Sequence, residues 1–133
     1  MRKNAREVVY KMLYSELYTT FNEELFMELT KEEKLTEGEV SFAKKLLEVV
    51  REHKAELDET IEELSNNYKL DRVYPTDKCA LYIGLTEIKF FDDVPYIVAI
   101  DEALNLCKKY STKESLNFVN GIFAEFVKRN KIA

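Results

Sequence analysis

A chain of 133 residues has the length of one domain and can bury about two thirds of its unfolded surface. With 46% hydrophobic and 34% charged residues it reads as a soluble globule; three glycines and two prolines are too few to punctuate a many-stranded β protein, and no apolar run reaches the length of a membrane span. The net charge of −5 is unevenly placed: residues 1–11 hold four basic side chains against one acidic, residues 108–133 six against two, and residues 23–63 six against fourteen acidic, so a polyanion suits the ends and a basic protein the middle.

In chain order, the first helix is expected from about Lys3 to Thr19, with Val8, Val9, Met12, Leu13 and Leu17 on its buried face. Arg2, Arg6, Tyr10 and Tyr14 follow at i, i+4, i+8 and i+12, a cationic and aromatic row. Read plainly, the tyrosines pack at the core margin and the arginines are solvated. Read for function, the cations neutralise phosphates and tyrosine offers a base a flat face worth about 1–3 kcal/mol on stacking. Phe21, Leu25, Phe26 and Leu29 place a short second helix after Asn22, and Thr30 to Leu35 is expected as a charged loop. Thr36 to Glu39 reads as a capping box. Beyond it Val40, Phe42, Ala43, Leu46, Leu47, Val49 and Val50 surround most of a helix, which is expected to be the central one.

From Glu52 to Asn66 the pattern thins to Ala55, Leu57, Ile61 and Leu64, with glutamates outward and the single histidine, His53, read as a solvated helix residue. Asn66-Asn67 breaks the run, and Tyr68 to Arg72 reads as a linker. Pro75 then opens a helix, its fixed φ suiting a first helical position. Cys79, Ala80, Leu81, Ile83, Gly84, Leu85, Ile88, Phe90 and Phe91 make that helix apolar on more than one side, until Asp92-Asp93 ends it. Val94-Pro95 opens the next, with Ile100, Ala103, Leu104, Leu106 and Cys107 inward. Ser111 to Glu114 reads as a second capping box, with the Ser111 oxygen as cap and a helix starting near Thr112. Leu116, Val119, Ile122, Phe123, Phe126 and Val127 form its buried stripe, and Asn117, Phe118 and Asn120 lie off it. Gly84 and Gly121, each costing about 1 kcal/mol against alanine inside a helix, are expected to mark close helix crossings. The expected fold is all-α: one domain, a compact bundle of about seven helices, in two packed subdomains of approximately 1–66 and 67–133.

Cys79 and Cys107 lack CxxC spacing and sit among apolar residues, which makes them buried free thiols. With one histidine there is no metal cluster and no nucleophile, base and acid set to assemble, so no catalytic residue, metal or cofactor is expected. The N-terminus lacks the apolar core and cleavage site of a signal peptide, which points to the cytoplasm.

RKNARE and LYSEL, then LDRVYPTDKCALYIGLTEI, VPYIVAIDEA, CKKYS and FVNGIFAEF, in that order and spacing, resemble the NusB transcription antitermination factors across nearly the whole chain. The resemblance implies a non-enzymatic, all-helical RNA-binding protein. In that family the protein pairs with the ribosomal protein NusE, binds boxA-type RNA with it, and acts in the RNA polymerase antitermination complex during ribosomal RNA synthesis. On the same resemblance the family's basic N-terminus falls on Arg2, Lys3 and Arg6, its Leu-Tyr pair on Leu13 and Tyr14, and the aromatic before VNG on Phe118, with Lys113 and Glu114 near that surface. With Tyr10 from the row above, these make the expected RNA contacts Arg2, Lys3, Arg6, Tyr10, Tyr14, Lys113 and Phe118. Asp71, Asp77 and Glu114 are the expected partner-facing acidic positions. The chain departs from the family's common residues at Tyr82, Thr86, Asp101 and Cys107, and Asn4 stands where a basic residue is frequent. Two other readings stand beside this one: a helical protein-interaction module whose acidic middle docks a basic partner, and an RNA-binding domain related to ribosomal RNA methyltransferases. Related folds form homodimers, which here would cover the same basic surface. The RNA reading expects the two termini to lie side by side, so that Arg6 and Phe118 share one cleft.

Overall fold

Seven α-helices make up most of residues 2–65 and 70–132, which the computed structural model describes: α1 (Arg2–Glu16), α2 (Glu23–Glu32), α3 (Glu37–Glu52), α4 (Lys54–Leu64), α5 (Pro75–Phe90), α6 (Tyr96–Tyr110) and α7 (Lys113–Arg129), with a 3₁₀ turn at Leu70–Arg72. The expected break at Asn66-Asn67 and the first residues of the linker lie outside the described residues.

Local chemistry sets most boundaries. Asn22 caps α2 by accepting from the Leu25 N–H at 3.1 Å, and Thr36 with Glu39 forms the complete capping box of α3, at 3.2 Å and 2.9 Å. The helix α2 continues through Thr30, Lys31 and Glu32, which were expected as loop, and is closed by Lys34 in the left-handed region at φ 51°. The second expected box is not formed. Thr112, rather than Ser111, caps α7 by accepting from the Ser115 N–H at 3.1 Å, because the Ser111 hydroxyl is turned toward Asp77 instead. His53 is likewise no solvated helix residue: it stands at the break between α3 and α4, its ring stacked on Phe90 at 4.0 Å and its Nδ1 3.1 Å from Glu56 Oε2.

The central helix is α5, not α3. Every residue from Cys79 to Glu87 is buried, and the helix packs on α1, α3, α4, α6 and α7. The reason is in its composition: α5 carries apolar residues on more than one side and buries Asp77, Thr86 and Glu87 with them, whereas α3 turns Ser41, Lys44, Lys45 and Glu48 to solvent and buries only Phe42, Ala43, Leu46, Leu47 and Val50. Gly84 makes the closest approach possible, since a Cβ there would fall 2.3 Å from Phe123 Cζ and 3.2 Å from Ala103 Cβ. Gly121 has no such role; a Cβ on it would meet nothing within 4 Å. Cys79 and Cys107 are buried free thiols, pushed up to about 12 by burial. No helix among the described residues is long and apolar enough to cross a membrane.

Candidate nucleic-acid interface

The first helix lies antiparallel to α5, and this places the row of Arg2, Arg6, Tyr10 and Tyr14. Arg2 Nη2 meets Asp93 Oδ2 at 2.9 Å, Arg6 meets Glu87, and the Tyr10 hydroxyl donates to the Thr76 carbonyl at 3.0 Å, so partners on the second helix fall in number as those on α1 rise. The row therefore faces inward. Arg6 is only 5% exposed and its guanidinium grips Glu87, which has no exposure at all, through two 2.7 Å hydrogen bonds, with Glu102 at 4.0 Å. A buried carboxylate among apolar neighbours demands such a partner, and the fork of arginine meets both oxygens. Tyr10 is also buried, its ring stacked on Tyr110 at 5.2 Å. Each therefore offers little of its surface to solvent, Arg6 only where it lines the depression beside Lys3 and Lys109. The ends of the row do reach solvent: Arg2 is partly open, with its guanidinium 4.2 Å from the centre of the Phe42 ring, and Tyr14 is exposed beside Tyr18.

One residue on from Arg6, Glu7 turns to the other side and binds the Lys109 ammonium at 2.6 Å and the Tyr110 hydroxyl. Burial raises its affinity for a proton, but the bonds from Lys109 and Tyr110 and the charges of Lys109 and Lys11 outweigh that and hold its carboxyl below the usual range. The same contact raises Lys109 above its ordinary value. Lys109 nonetheless keeps 59% of its side chain in solvent and lines a shallow depression with Lys3.

From Lys109 the chain passes through the α6–α7 turn to Lys113 and Glu114, both exposed, and then to a second depression of about 230 Å³ between the starts of α5 and α7. Arg72, Tyr74, Asp77, Glu114, Ser115 and Phe118 line it. Asp77, expected as a partner-facing charge, is instead 2% exposed, accepts from Ser111 Oγ at 3.1 Å, and sits next to the Thr76 and Ser111 hydroxyls that are themselves 3.2 Å apart. Burial raises its carboxyl above the usual aspartate value, opposed by the hydroxyls of Ser115, Ser111 and Thr76. Asp71, on the 3₁₀ turn, is exposed. On the other side of Phe118 a groove of about 340 Å³ runs along Leu64, Asn117, Gly121 and Glu125.

Arg6 lines the depression that holds Lys3 and Lys109, whereas Phe118 lines the one between the starts of α5 and α7. Among the exposed cations are Lys3 at the start of α1, Lys108 and Lys109 at the end of α6, and Lys113 at the start of α7. Lys109 and Tyr74 were not singled out from the sequence, and Ser111 only as a helix cap. A signal for Arg6 was present: Glu87, late in a helix rich in apolar residues, needs a buried cation. Among the described residues no three His, Cys, Asp or Glu side chains are grouped to hold a metal ion.

A model of the NusB family matches residues 2–128. The transcription antitermination protein NusB of Agathobacter rectalis is 38% identical over 128 residues, covering 94% of this chain and 98% of that protein. Among solved structures, Thermotoga maritima NusB superposes with a TM-score of 0.87 at 28% identity, over 96% of this chain and 91% of that one. A chain in the crystal structure of the antitermination factors NusB and NusE in complex with double-stranded RNA superposes with a TM-score of 0.85 at 28% identity, over 96% of each.

Proposed function

The chain belongs to the NusB family, and from that premise we propose that it is a transcription antitermination factor that binds boxA-type single-stranded RNA together with NusE and supports ribosomal RNA transcription. It acts in the cytoplasm, as a binding protein and not as an enzyme. The observation that carries the reading is the likeness, over 96% of both chains, to a component of a NusB, NusE and RNA complex. In this reading Lys3, Lys109 and Lys113 engage phosphates, Arg2 and Tyr14 extend the surface at the ends of α1, and Phe118 offers a face to an unpaired base. Arg6 and Tyr10 serve from beneath, by fixing α1 against α5 and α6. Asp71 and Glu114, both exposed, face the partner. Few cations stand against a body of net charge −5, so the protein alone binds RNA weakly and the basic partner supplies much of the affinity.

The test is a titration of boxA-type single-stranded RNA with the protein alone and with NusE added. Weak binding alone, tightened by NusE and reduced about tenfold or more when Lys3, Lys109 and Lys113 are all replaced by alanine, is the expected result. Capture of NusE with no RNA binding by either form would instead favour the protein-interaction module.

A further inference from the structure

Of the two arginines on α1, Arg6 is locked against a buried glutamate and Arg2 is not. Arg2 Nη2 meets Asp93 Oδ2 at 2.9 Å in the turn between α5 and α6, where both side chains are open to solvent, 41% and 63%. Lys45, exposed on α3, holds its ammonium 5.0 Å from the centre of the Phe91 ring, two residues before Asp93. The Arg2 guanidinium stands 4.2 Å from the centre of the Phe42 ring, and Phe42 meets Phe91 edge to face at 5.7 Å. Three separate segments thus bring two cations onto one aromatic base beside a single carboxylate. The bond from Arg2 holds the Asp93 carboxyl below the usual aspartate value against the opposing effect of desolvation, and the charges of Arg2 and Lys45 act in the same direction as that bond. Lys45 forms no ion pair of its own among the described residues. Beneath the cluster Arg6 and Glu87 neutralise each other, and Asp92 is the other exposed carboxylate of the turn.

An exposed ion pair is weak, because each charge gains little over water and two side chains must be held still. The rings beneath Arg2 and Lys45 attract both cations whether or not Asp93 is present. What results is an anion cradle with a replaceable occupant. A phosphodiester carries a full negative charge and two free oxygens, so it can accept from Arg2 and Lys45 together, whereas Asp93 bonds Arg2 alone. We propose that Arg2 and Lys45 form a binding site for one backbone phosphate of a bound RNA strand, and that Asp93 occupies this site in the free protein as an internal stand-in. The proposal rests on the RNA-binding function above and adds to it Lys45 and Asp93, which extend the strand's contacts from the start of α1 onto α3. Such a contact carries no base preference, since phosphates position a strand and base edges specify it. Its effect is to weaken RNA binding by the strength of the Asp93 contact, so that few phosphates held elsewhere do not suffice for tight binding.

The experiment titrates a boxA-type single strand with the whole protein and NusE, unaltered and as Asp93→Asn, Asp92→Asn and Lys45→Ala, at several salt concentrations and with folding checked by melting. Asp93→Asn should tighten RNA binding about threefold, because the competing charge is gone while an asparagine still suits the turn. Asp92→Asn removes an equal charge from the same turn and should change the affinity much less. Lys45→Ala should weaken binding about threefold or more and make the slope of log affinity against log salt shallower by about 0.7, the share of one phosphate on a single strand. Equal gains from Asp92→Asn and Asp93→Asn would mean a general effect of net charge and overturn the proposal. Unchanged or weakened binding in a folded Asp93→Asn also overturns it, as does an unchanged slope in Lys45→Ala, which decides alone if Asp93→Asn does not fold. Absence of binding to the strand by every form, with or without NusE, would instead remove the RNA reading and this proposal with it.

Discussion

At position 6 an arginine is buried against a glutamate that water does not touch, although arginines near a chain end are ordinarily solvated. Two charge-assisted bonds of 2.7 Å to Glu87 and a second carboxylate, Glu102, at 4.0 Å compensate the desolvation of the guanidinium. Removing one partner leaves the other charged in the core, which costs about 3–5 kcal/mol, whereas exchanging both for apolar residues of similar volume is often neutral or better. Arg6→Ala should therefore lower the stability measured by denaturant unfolding by about that amount, and Arg6→Met with Glu87→Leu should recover most of it. If Arg6 instead served RNA directly, its replacement would weaken RNA binding without a matching loss of stability. Tyr10, stacked on Tyr110 and bonded to Thr76, belongs with it as a residue that fixes α1 in place.

The helices themselves divide into those that periodicity placed well and those whose neighbours decided their role. The buried stripe of α7 follows the spacing of three and four read from Val119, Ile122, Phe123 and Phe126, because a surface helix in a bundle needs one apolar face. The rank of α3 and α5 was inverted: many apolar residues made α3 look central, but residues on all sides of α5 are what demand a central place. The two glycines, alike in sequence, differ for the same reason. A side chain at Gly84 would collide with Phe123, so Gly84→Ala should destabilise by about 1–3 kcal/mol and force Phe123 from its rotamer. Gly121 lies open on an outer face, and Gly121→Ala should stabilise by about 1 kcal/mol through helix propensity alone. Thermal melts of the two variants should shift in opposite directions. A destabilised Gly121→Ala would contradict the open groove beside Phe118.

For the whole molecule, the division of charge along the chain becomes a division in space only through the fold. Lys3, Lys109 and Lys113 come from two ends of the sequence, and α1 lying antiparallel to α5 with α6 alongside brings the first two to one depression. With three or four such cations engaged, the logarithm of RNA affinity should fall against the logarithm of salt with a slope of about −2 to −3, read from titrations at several salt concentrations. A slope near zero would mean that these lysines are merely solvated. The sequence by itself determined most of the helices, the capping box of α3, the all-α class, and, through motifs such as VPYIVAIDEA and FVNG, the family, because hydrophobic period, capping and short motifs are properties of neighbours along the chain. Only the tertiary structure decided that Arg6, Tyr10 and Asp77 are interior groups while Lys109 keeps most of its side chain in solvent, because an i, i+4 row states which residues share a face and not whether that face meets water or Glu87.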